Sequence, residues 1–370
     1  MAINFKTAFC IFIFFFCFYS NKTIAQSDSS QTTQDTINQN QFFIYPFVFY
    51  LPETRWGFGA VGLYTFRFKD ERHDSNPSQI QFTANYTQNK QVNFIIPFEL
   101  YRYHNKWKVK GEIGYFIYLY NFYGIGNTSL KENRETYKAD YPRFRIDCLR
   151  RLGDFFVGAR YRFDNAKIFD FKQGGILDSN PIEGKQGGRV GGFGIVAQYD
   201  SRDFIFNPTK GCFIEGEIFI GNKFSGSEYN FQRYAIDAAT FIPLGSEQTL
   251  GIHLNTATML GSPFFNDLLY FGSPKIMRGY QDRRFTDRNL YVLQTEYRYP
   301  IYRRLQGVAF TAIGNVGDTY PNLFTANPKF TYGAGLRVIL NKRDRVRLRI
   351  DYGRTVSEGG AFYATINEAF

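Results

Sequence analysis

The sequence predicts an all-β protein, a transmembrane antiparallel β-barrel, and three observations support this prediction. Phe, Tyr and Trp make up 19% of the 370 residues, which excludes a disordered chain because such chains are poor in aromatics. Apolar residues alternate with polar ones, and beyond the first 20 residues no apolar run reaches the ~18 residues of a spanning helix. An export signal precedes this region, and in lipid only helices and closed barrels satisfy every backbone hydrogen bond.

Residues 1–25 are predicted to form a cleaved secretory signal peptide. Lys6 precedes an apolar stretch at 8–19, and the small residue Ala25 precedes the expected cleavage point. The apolar stretch is too short to span a membrane as a helix. A lipoprotein signal would instead acylate Cys17, but the phenylalanines before it are not the small residues that such a site needs. Cleavage after Ala25 is therefore the favoured interpretation.

The mature chain is expected to contain one disordered segment and one barrel. Residues 26–41 are polar and unpatterned, which is typical of a disordered periplasmic segment. Residues 42–370 fall into alternating segments separated by turn residues, and we expect them to form the barrel, integral to the outer membrane of a Gram-negative cell. The net charge is +11. Because basic residues alternate with apolar ones, we expect contacts with outer-membrane lipid and lipopolysaccharide, and no nucleic-acid partner.

The segment 345–352 illustrates the alternation on which the barrel prediction rests. Period-2 alternation places two sets of residues on opposite faces of a strand, here Arg345, Arg347, Arg349 and Asp351 against Val346, Leu348, Ile350 and Tyr352. A soluble β-sandwich also alternates. The polar phase, however, carries long charged side chains of both signs in strand after strand, which suits a wet lumen. The apolar phase is rich in Tyr and Phe near the segment ends, as in interfacial aromatic girdles.

Sixteen strands are predicted, an even number, as is usual for a bacterial single-chain barrel. They are 42–51, 56–69, 79–89, 91–103, 106–120, 139–151, 154–166, 189–201, 211–222, 229–241, 248–260, 289–299, 306–316, 329–340, 345–354 and 361–370. The long connections 121–138, 167–188 and 261–288 are expected on the extracellular side, and short turns on the periplasmic side. The connection 70–78 breaks this rule, since it is long on the periplasmic side.

Five short motifs stand in the order found in one membrane-protein family. Loop 261–288 contains Met277, Arg278, Gly279 and Tyr280, which resembles the (V/L/I)RG(F/Y) signature of the BamA/TamA outer-membrane assembly-factor superfamily. The other four are YGIGN at 123–127, DSRDFIFNPTKG at 200–211, GAGLR at 333–337, and the closing strands 347–352 with Phe370. The resemblance implies a 16-stranded barrel whose long extracellular loop folds back into the lumen.

The resemblance also implies that the loop arginine is held by acidic residues of the inner wall. The family's F-x-D-x-G strand corresponds here to 310–314, with Ala312 where the aspartate would stand. Glu296 matches the family's other acidic wall position. We therefore predict that Arg278 pairs with Glu296, with Asp351 as a reserve partner. The alternative is that Arg278 is merely solvated in a long loop.

Pro46 and Phe370 are the candidate residues of a barrel seam, the contact between the first and last strands. Proline cannot donate to a β-ladder, so Pro46 belongs at an edge or in a weak pairing. Phe370 resembles the terminal aromatic residue of the family's closing β-signal. The alternative is that 42–51 is a periplasmic lead-in and that Pro46 has no role in a seam.

Two functions remain open. The first is assistance in the insertion, assembly or translocation of other outer-membrane or surface proteins, which would be clients of this barrel. The second is a passive or loop-plugged pore, or a scaffold barrel for a separately encoded periplasmic or surface partner. The first is the preferred interpretation. One observation speaks for the second: 26–41 is too short for the periplasmic capture domains of the family. The three histidines are isolated and no catalytic or metal-binding spacing occurs, so no enzyme, cofactor or metal is predicted.

Overall fold

The computed structural model describes residues 40–51, 55–71, 75–204, 207–341, 346–366 and 368–370. The predicted signal peptide and residues 26–39 of the predicted disordered segment lie outside the described residues. The strands are β1 Gln41–Leu51, β2 Arg55–Phe66, β3 Ser78–Thr87, β4 Val92–Arg102, β5 Trp107–Phe122, β6 Glu135–Leu152, β7 Phe155–Phe169, β8 Gly187–Asp200, β9 Gly211–Gly221, β10 Phe231–Gly245, β11 Gln248–Gly261, β12 Leu269–Phe271, β13 Phe285–Asp287, β14 Asn289–Tyr302, β15 Leu305–Gly317, β16 Lys329–Asn341, β17 Val346–Thr355 and β18 Gly360–Ile366.

Sixteen of these strands form one antiparallel sheet in which each strand pairs with its neighbours in the chain, and this confirms the predicted all-β transmembrane barrel class. The short strands β12 and β13 pair separately with each other, inside the β11–β14 connection. β1 and β18 stand at the two ends of the order, and within the described residues no ladder joins them.

Helices are few and short in the described part of the chain. They are α1 Ile176–Ser179, α2 Asn322–Thr325 and three 3₁₀ turns, Lys131–Asn133, Lys223–Ser225 and Phe265–Asp267. None of the described helices has the length and apolar character needed to cross a membrane.

The charged phase of the strands faces the concave side of the sheet. In β17, Arg349 and Asp351 are buried on this inward face, whereas Ile350 and Tyr352 point outward and are 44% and 40% exposed. The outward face is therefore apolar and the inward face charged. This is the arrangement that period-2 alternation requires of a barrel with a wet lumen.

Side chains from strands that are not neighbours meet across the concave face. Lys108 Nζ on β5 donates to Gln198 Oε1 on β8 at 3.1 Å. Lys110 Nζ, also on β5, pairs with Glu215 Oε2 on β9 at 2.9 Å. Because these strands are three and four positions apart in the sheet, the sheet is strongly curved around a charged interior.

The β2–β3 connection is the long connection, predicted as 70–78, that lies on the short-turn side. The β4–β5 turn holds it there. Arg102 binds both carboxylate oxygens of Asp70, at 2.7 and 3.0 Å. The Glu71 carboxylate accepts hydrogen bonds from the backbone N–H groups of Tyr103 and His104, at 2.6 and 2.7 Å. Asp70 and Glu71 of the β2–β3 connection are thus fixed against the neighbouring turn. The other connections from β5 onward alternate as predicted.

The last strand is shorter than predicted. Residues 361–370 were expected to form it, but β18 ends at Ile366. The β17–β18 ladder pairs Leu348 with Ile366, so a longer strand would place Glu368 in the outward phase with Ile366. A carboxylate there would face lipid, which is unfavourable. Glu368 instead lies inside the barrel, where it is 8% exposed.

The hydrophobic core lies in the long-loop half of the barrel, where the β11–β14 connection fills the lumen. We call this connection, residues 262–288, the inward loop. Its aromatic side chains pack against inward-facing residues of the wall. The aromatic members of this core are Phe122, Tyr137, Tyr141, Phe219, Tyr229, Phe231, Phe264, Phe265, Phe271, Tyr280 and Phe285. The interior of the barrel is therefore packed, not open, in its long-loop half.

Candidate functional site

The inward loop reaches the opposite wall of the barrel because two glycines permit a close backbone approach. Gly279 has φ +119°, a conformation that L side chains rarely adopt, and lies against β17. Across from it, a Cβ on Gly353 would lie 2.7 Å from the carbonyl carbon of Arg278. Tyr363 of β18 fixes this approach: its hydroxyl accepts from Gly279 N at 2.9 Å and donates to the Tyr280 carbonyl at 2.8 Å.

Arg278 is the centre of the site. It is 1% exposed. Its Nη2 donates to Glu296 Oε2 and its Nη1 to Asp351 Oδ2, each at 2.6 Å. The guanidinium carbon also lies 3.6 Å from the centroid of the Phe310 ring, a cation–π contact. Both carboxylates are fully buried, so the pairing replaces the hydration that each group loses.

Further arginines surround the same two carboxylates. Arg298 Nε donates to Glu296 Oε1 at 2.8 Å. Arg337 Nη1 donates to Asp351 Oδ1 at 2.5 Å, and Arg349 Nη2 donates to the Pro274 carbonyl of the inward loop at 2.7 Å. We call the six residues the lock cluster: Arg278, Arg298, Arg337, Arg349, Glu296 and Asp351. Each carboxylate is shared among several arginines.

The structure brings Arg278 together with both acidic residues that the sequence singled out. Asp351 was expected as a reserve, yet it binds Arg278 at the same time as Glu296 does. Ala312, which replaces the family's aspartate, pairs across the sheet with Gln294. Gln294 Oε1 accepts from Met277 N at 2.8 Å. A neutral amide thus holds the loop backbone next to the position where the family has an acid.

Sequence reasoning did not assign Arg337, Arg349 or Tyr363 to the site. Arg337 belongs to the GAGLR motif, and Arg349 to the charged phase of β17, so both carried a signal. The motif does not indicate a partner for Arg337, however, and alternation shows which face a residue takes but not what it contacts there. Tyr363 stood among many aromatics, and no feature of the sequence distinguished it.

A second motif of the sequence packs on the inward loop. Gly126 N donates to the Thr286 carbonyl at 2.8 Å, and Tyr123 OH donates to Gln281 Oε1 at 2.5 Å. Nearby, Arg284 binds the Glu358 carboxylate through Nε and Nη2, at 2.7 and 2.6 Å. The YGIGN segment and the β17–β18 turn therefore brace the loop from the long-loop side.

A third motif closes the lumen from the short-turn side. In DSRDFIFNPTKG, the Asp203 carboxylate accepts from Thr209 N at 2.8 Å and from Thr209 Oγ1 at 2.5 Å. This arrangement holds the turn so that the Pro208 carbonyl accepts from Arg298 Nη1 at 3.0 Å. The lock cluster is therefore joined to the β8–β9 turn through Arg298.

The two predicted seam residues have different positions. Pro46 lies in β1 opposite Ala60, on a strand at one end of the sheet. Phe370 lies away from the two ends of the sheet. Its ring stacks on His253 of β11 with 4.8 Å between centroids, and its carbonyl accepts from Arg298 Nη2 at 3.2 Å.

Asp287 of the inward loop and Asp318, which follows β15, interact at the long-loop side. Burial raises the pKa of Asp287 in β13 to about 6, and the nearby carboxylate of Asp318 raises it further. Burial likewise raises the pKa of the Tyr280 hydroxyl to about 12. Asp287 thus changes its charge close to neutral pH.

The lumen is not filled on the side away from the lock cluster. A cavity of about 380 Å³ lies between β3–β7 and β9–β10. Its lining is charged and includes Glu99, Glu112, Arg145, Arg162 and Arg233. In the described residues no group of three or more His, Cys, Asp or Glu side chains could hold a metal ion. The cavity can admit water and polar chain segments.

These features define a class of protein: a sixteen-stranded transmembrane β-barrel whose long loop enters the lumen and is held there by buried ion pairs. Residues 76–370 match the family model described as Omp85 superfamily domain. The match covers most of the chain, and the protein therefore belongs to the Omp85 superfamily, as an outer-membrane β-barrel. A comparison with the sequences of curated proteins finds no match.

Solved structures of similar fold include BamA from Haemophilus ducreyi lacking POTRA domains 1–3 (TM-score 0.55, 12% identity over 89% of this chain and 69% of that one). They also include CdiB from Acinetobacter baumannii (TM-score 0.56, 13% identity over 89% of this chain and 59% of that one). A third is CdiB from Escherichia coli (TM-score 0.62, 12% identity over 88% of this chain and 62% of that one). At these identities the likeness concerns the fold alone. This chain spans less than two thirds of the two CdiB chains.

Proposed function

We propose that this barrel works in the outer membrane of a Gram-negative cell and assists the insertion, assembly or translocation of other outer-membrane or surface proteins. The observation that carries the proposal is the buried pairing of Arg278 with Glu296 and Asp351, in a chain of the Omp85 superfamily. A loop anchored this deeply keeps a defined position in the lumen. Residues 1–25 would direct export and residues 26–41 would lead into the barrel.

The ends of the sheet support a role in strand pairing. An unpaired strand edge can accept an extended segment of another chain through backbone hydrogen bonds. Pro46 lies in β1, at one such end. Because proline has no N–H to donate, it weakens any pairing in which that position takes part. We therefore propose that a client strand pairs with this edge of the barrel.

The inner wall beside β1 also favours contact with clients. Leu63 of β2 pairs with Phe43 of β1 on one side and with Gln81, a cavity-lining residue, on the other. These side chains therefore share the inward face. Phe43 and Tyr45 are 42% and 60% exposed there, on the same face as the charged cavity lining. Exposed apolar side chains of this kind are typical of binding surfaces.

The experiment that tests this function is depletion of the protein followed by quantitative proteomics of the outer membrane. We expect a selective loss of other barrels or of surface proteins, restored by the wild-type gene and not by R278A. The matched control is R189Q, which removes an arginine from the exposed Arg189–Glu228 pair and should restore the proteome fully. An unchanged outer membrane after depletion would contradict an assembly role.

A second function, a loop-plugged pore or a scaffold for a periplasmic or surface partner, is favoured by the cavity of about 380 Å³ beside the inward loop. If the loop acts as a plug, conductance in planar bilayers should rise in R278A and remain low in R189Q. Equal conductance of wild type and R278A would exclude the plug.

A further inference from the structure

Basic residues outnumber acids at three short turns of the barrel. Segments 103–107, 150–154 and 302–305 form or border the β4–β5, β6–β7 and β14–β15 turns, and we call them the short-turn rim. Their Lys and Arg residues are Lys106, Arg150, Arg151, Arg303 and Arg304, and Asp154 is their one acid. In the part of the chain that the structure describes, neither Arg150 nor Arg303 forms an ion pair.

Arg150 lies on the outward face of the sheet, although that face is otherwise apolar. In β6 it shares the phase of Phe144 and Leu152, which are 37% and 55% exposed. It stands near the end of the strand, next to the turn. A charged side chain on the outward face is unfavourable at the centre of the bilayer and is tolerated near the interface. Arg150 is therefore at the level of the lipid headgroups.

Two arginines of the short-turn rim lie over aromatic rings that face the membrane. The guanidinium carbon of Arg150 is 5.8 Å from the ring centroid of Trp107, which stands opposite it in β5. At the β14–β15 turn, the guanidinium carbon of Arg303 is 5.0 Å from the ring centroid of Tyr302. The side chains of Trp and Tyr prefer the membrane–water interface, at headgroup level. Each ring therefore fixes the depth of its arginine.

An arginine held in this way can still bind a phosphate group. Contact with the face of a ring leaves the N–H donors at the edge of the guanidinium group available. These donors bind phosphate oxygens through two parallel hydrogen bonds, and basic side chains attract anionic lipids at a membrane surface. The short turns of an outer-membrane barrel face the periplasm, and the leaflet on that side consists of phospholipid. The acyl chains of such a lipid can pack on exposed apolar side chains such as Leu152 and Phe155.

We propose that Arg150 with Trp107, and Arg303 with Tyr302, form two binding sites for the phosphate of an anionic phospholipid in the periplasmic leaflet. β6 and β14 are the sixth and twelfth strands in the order of the sheet, so the two sites lie on well-separated parts of the barrel wall. Two such anchors fix the height and the tilt of the barrel in the membrane. They do so whether or not the barrel assists clients.

Quenching of Trp107 fluorescence by brominated lipid tests the first site. The chain contains two tryptophans, so W56F leaves Trp107 as the only one. The full chain with this change is refolded into phosphatidylcholine vesicles with phosphatidylglycerol as the minor lipid, and one lipid at a time carries bromine on its acyl chains. We expect brominated phosphatidylglycerol to quench about threefold more than its share of the lipid predicts. Addition of R150Q should reduce the quenching to that share.

The matched control is R151Q, which removes the same charge one residue away. Arg151 shares the inward phase of the buried Leu149, and its Nε donates to the Gly153 carbonyl at 3.0 Å. The excess quenching should therefore persist in R151Q. Without any substitution at the site, roughly 1 M NaCl should remove the excess, because salt screens exposed charges.

The second site is measured in the same vesicles with the variant W56F/W107F/Y302W, and its excess quenching should be lost in R303Q. Quenching by phosphatidylglycerol at its share of the lipid, with both arginines present, would overturn the proposal. An equal excess in R150Q would also overturn it. If the vesicles show no excess, while soluble poly-glutamate binds the unsubstituted chain and not R150Q, then the short-turn rim binds an acidic protein and not a lipid.

Discussion

Arg278 of the inward loop and Arg337 of β16 bind the same two carboxylates. Asp351 gives one oxygen to each arginine, at 2.6 and 2.5 Å, and Glu296 Oε2 lies 2.6 Å from Arg278 and 3.5 Å from Arg337. The inward loop is thus held by two carboxylates that also bind an arginine of the barrel wall. This sharing determines how the region should respond when its charges are changed.

Loss of Glu296 should destabilise the barrel more than loss of Arg278. The region has more arginines than carboxylates, so E296Q leaves buried positive charge unpaired, whereas R278Q relieves it. We expect E296Q to lower the free energy of unfolding by about 3–5 kcal/mol, as when one partner of a buried pair is removed. R278Q should lower it by roughly 1–3 kcal/mol, the range for unmade hydrogen bonds. Urea titration of the barrel refolded in lipid measures both.

The control for these two variants is E228Q, at an exposed ion pair, which should remain within roughly 0.5 kcal/mol of wild type. A larger effect of R278Q than of E296Q would contradict the charge balance described for the lock cluster.

A side chain at position 353 should displace the inward loop. In G353A the new Cβ would lie 2.7 Å from the Arg278 carbonyl carbon and from Gly279 N, which backbone atoms cannot tolerate. We expect protease cleavage within 272–284 to rise at least tenfold. G216A is the matched control in another strand, because nothing lies within 4 Å of its added Cβ. Equal protection of the loop in both variants would mean that the loop does not depend on this close approach.

Docking of the β12–β13 hairpin should weaken as pH rises through about 6. The pKa of Asp287 is raised to about 6 in the folded chain from an ordinary value of 3.8, so the folded state favours the protonated acid. The stabilising contribution is complete below pH ~4 and is lost as pH rises through the folded pKa. At about 1.4 kcal/mol for each pKa unit, it amounts to at most roughly 3 kcal/mol.

Hydrogen exchange of 268–287 measured between pH 4 and 8, corrected for the intrinsic rate, reports this dependence. D287N keeps an oxygen for the 2.7 Å hydrogen bond from Arg288 N and carries no charge. It should therefore show flat protection across this range and exceed wild type at pH 7.5. Parallel profiles for the two proteins would show that Asp287 titrates normally.

Replacement of Pro46 should alter client assembly if the β1 edge receives client strands. P46V supplies a backbone N–H at this position and strengthens strand pairing. We expect a more persistent pairing at the edge, measured as increased disulfide crosslinking between cysteines placed in β1 and β18, and slower assembly of clients. P97V in β4, a strand paired on both sides, is the control. Unchanged crosslinking and assembly in P46V would remove the reason to place a seam there.

The strand positions could be predicted from the sequence because alternation is a local signal. Whether Lys108 or Trp107 faces the lumen follows from one residue's place in a period of two. The motif around Arg278 was equally visible, and so were both acids of the inner wall. These predictions need only the residue types and their spacing, and each strand contributes its own pattern without knowledge of the others.

The partners of those residues could not be predicted, since they depend on how distant strands come together. Arg278 and Asp351 are 73 positions apart, and only the registers of β14 to β18 bring Arg337 between them. Glu368 shows the limit most clearly: its place in the alternation predicts an outward side chain, yet it lies in the lumen. Local pattern therefore determines the barrel and the loop arginine. Tertiary structure decides the shared carboxylates and the inward position of Glu368, because the free energy of a buried charge is set by the groups that surround it.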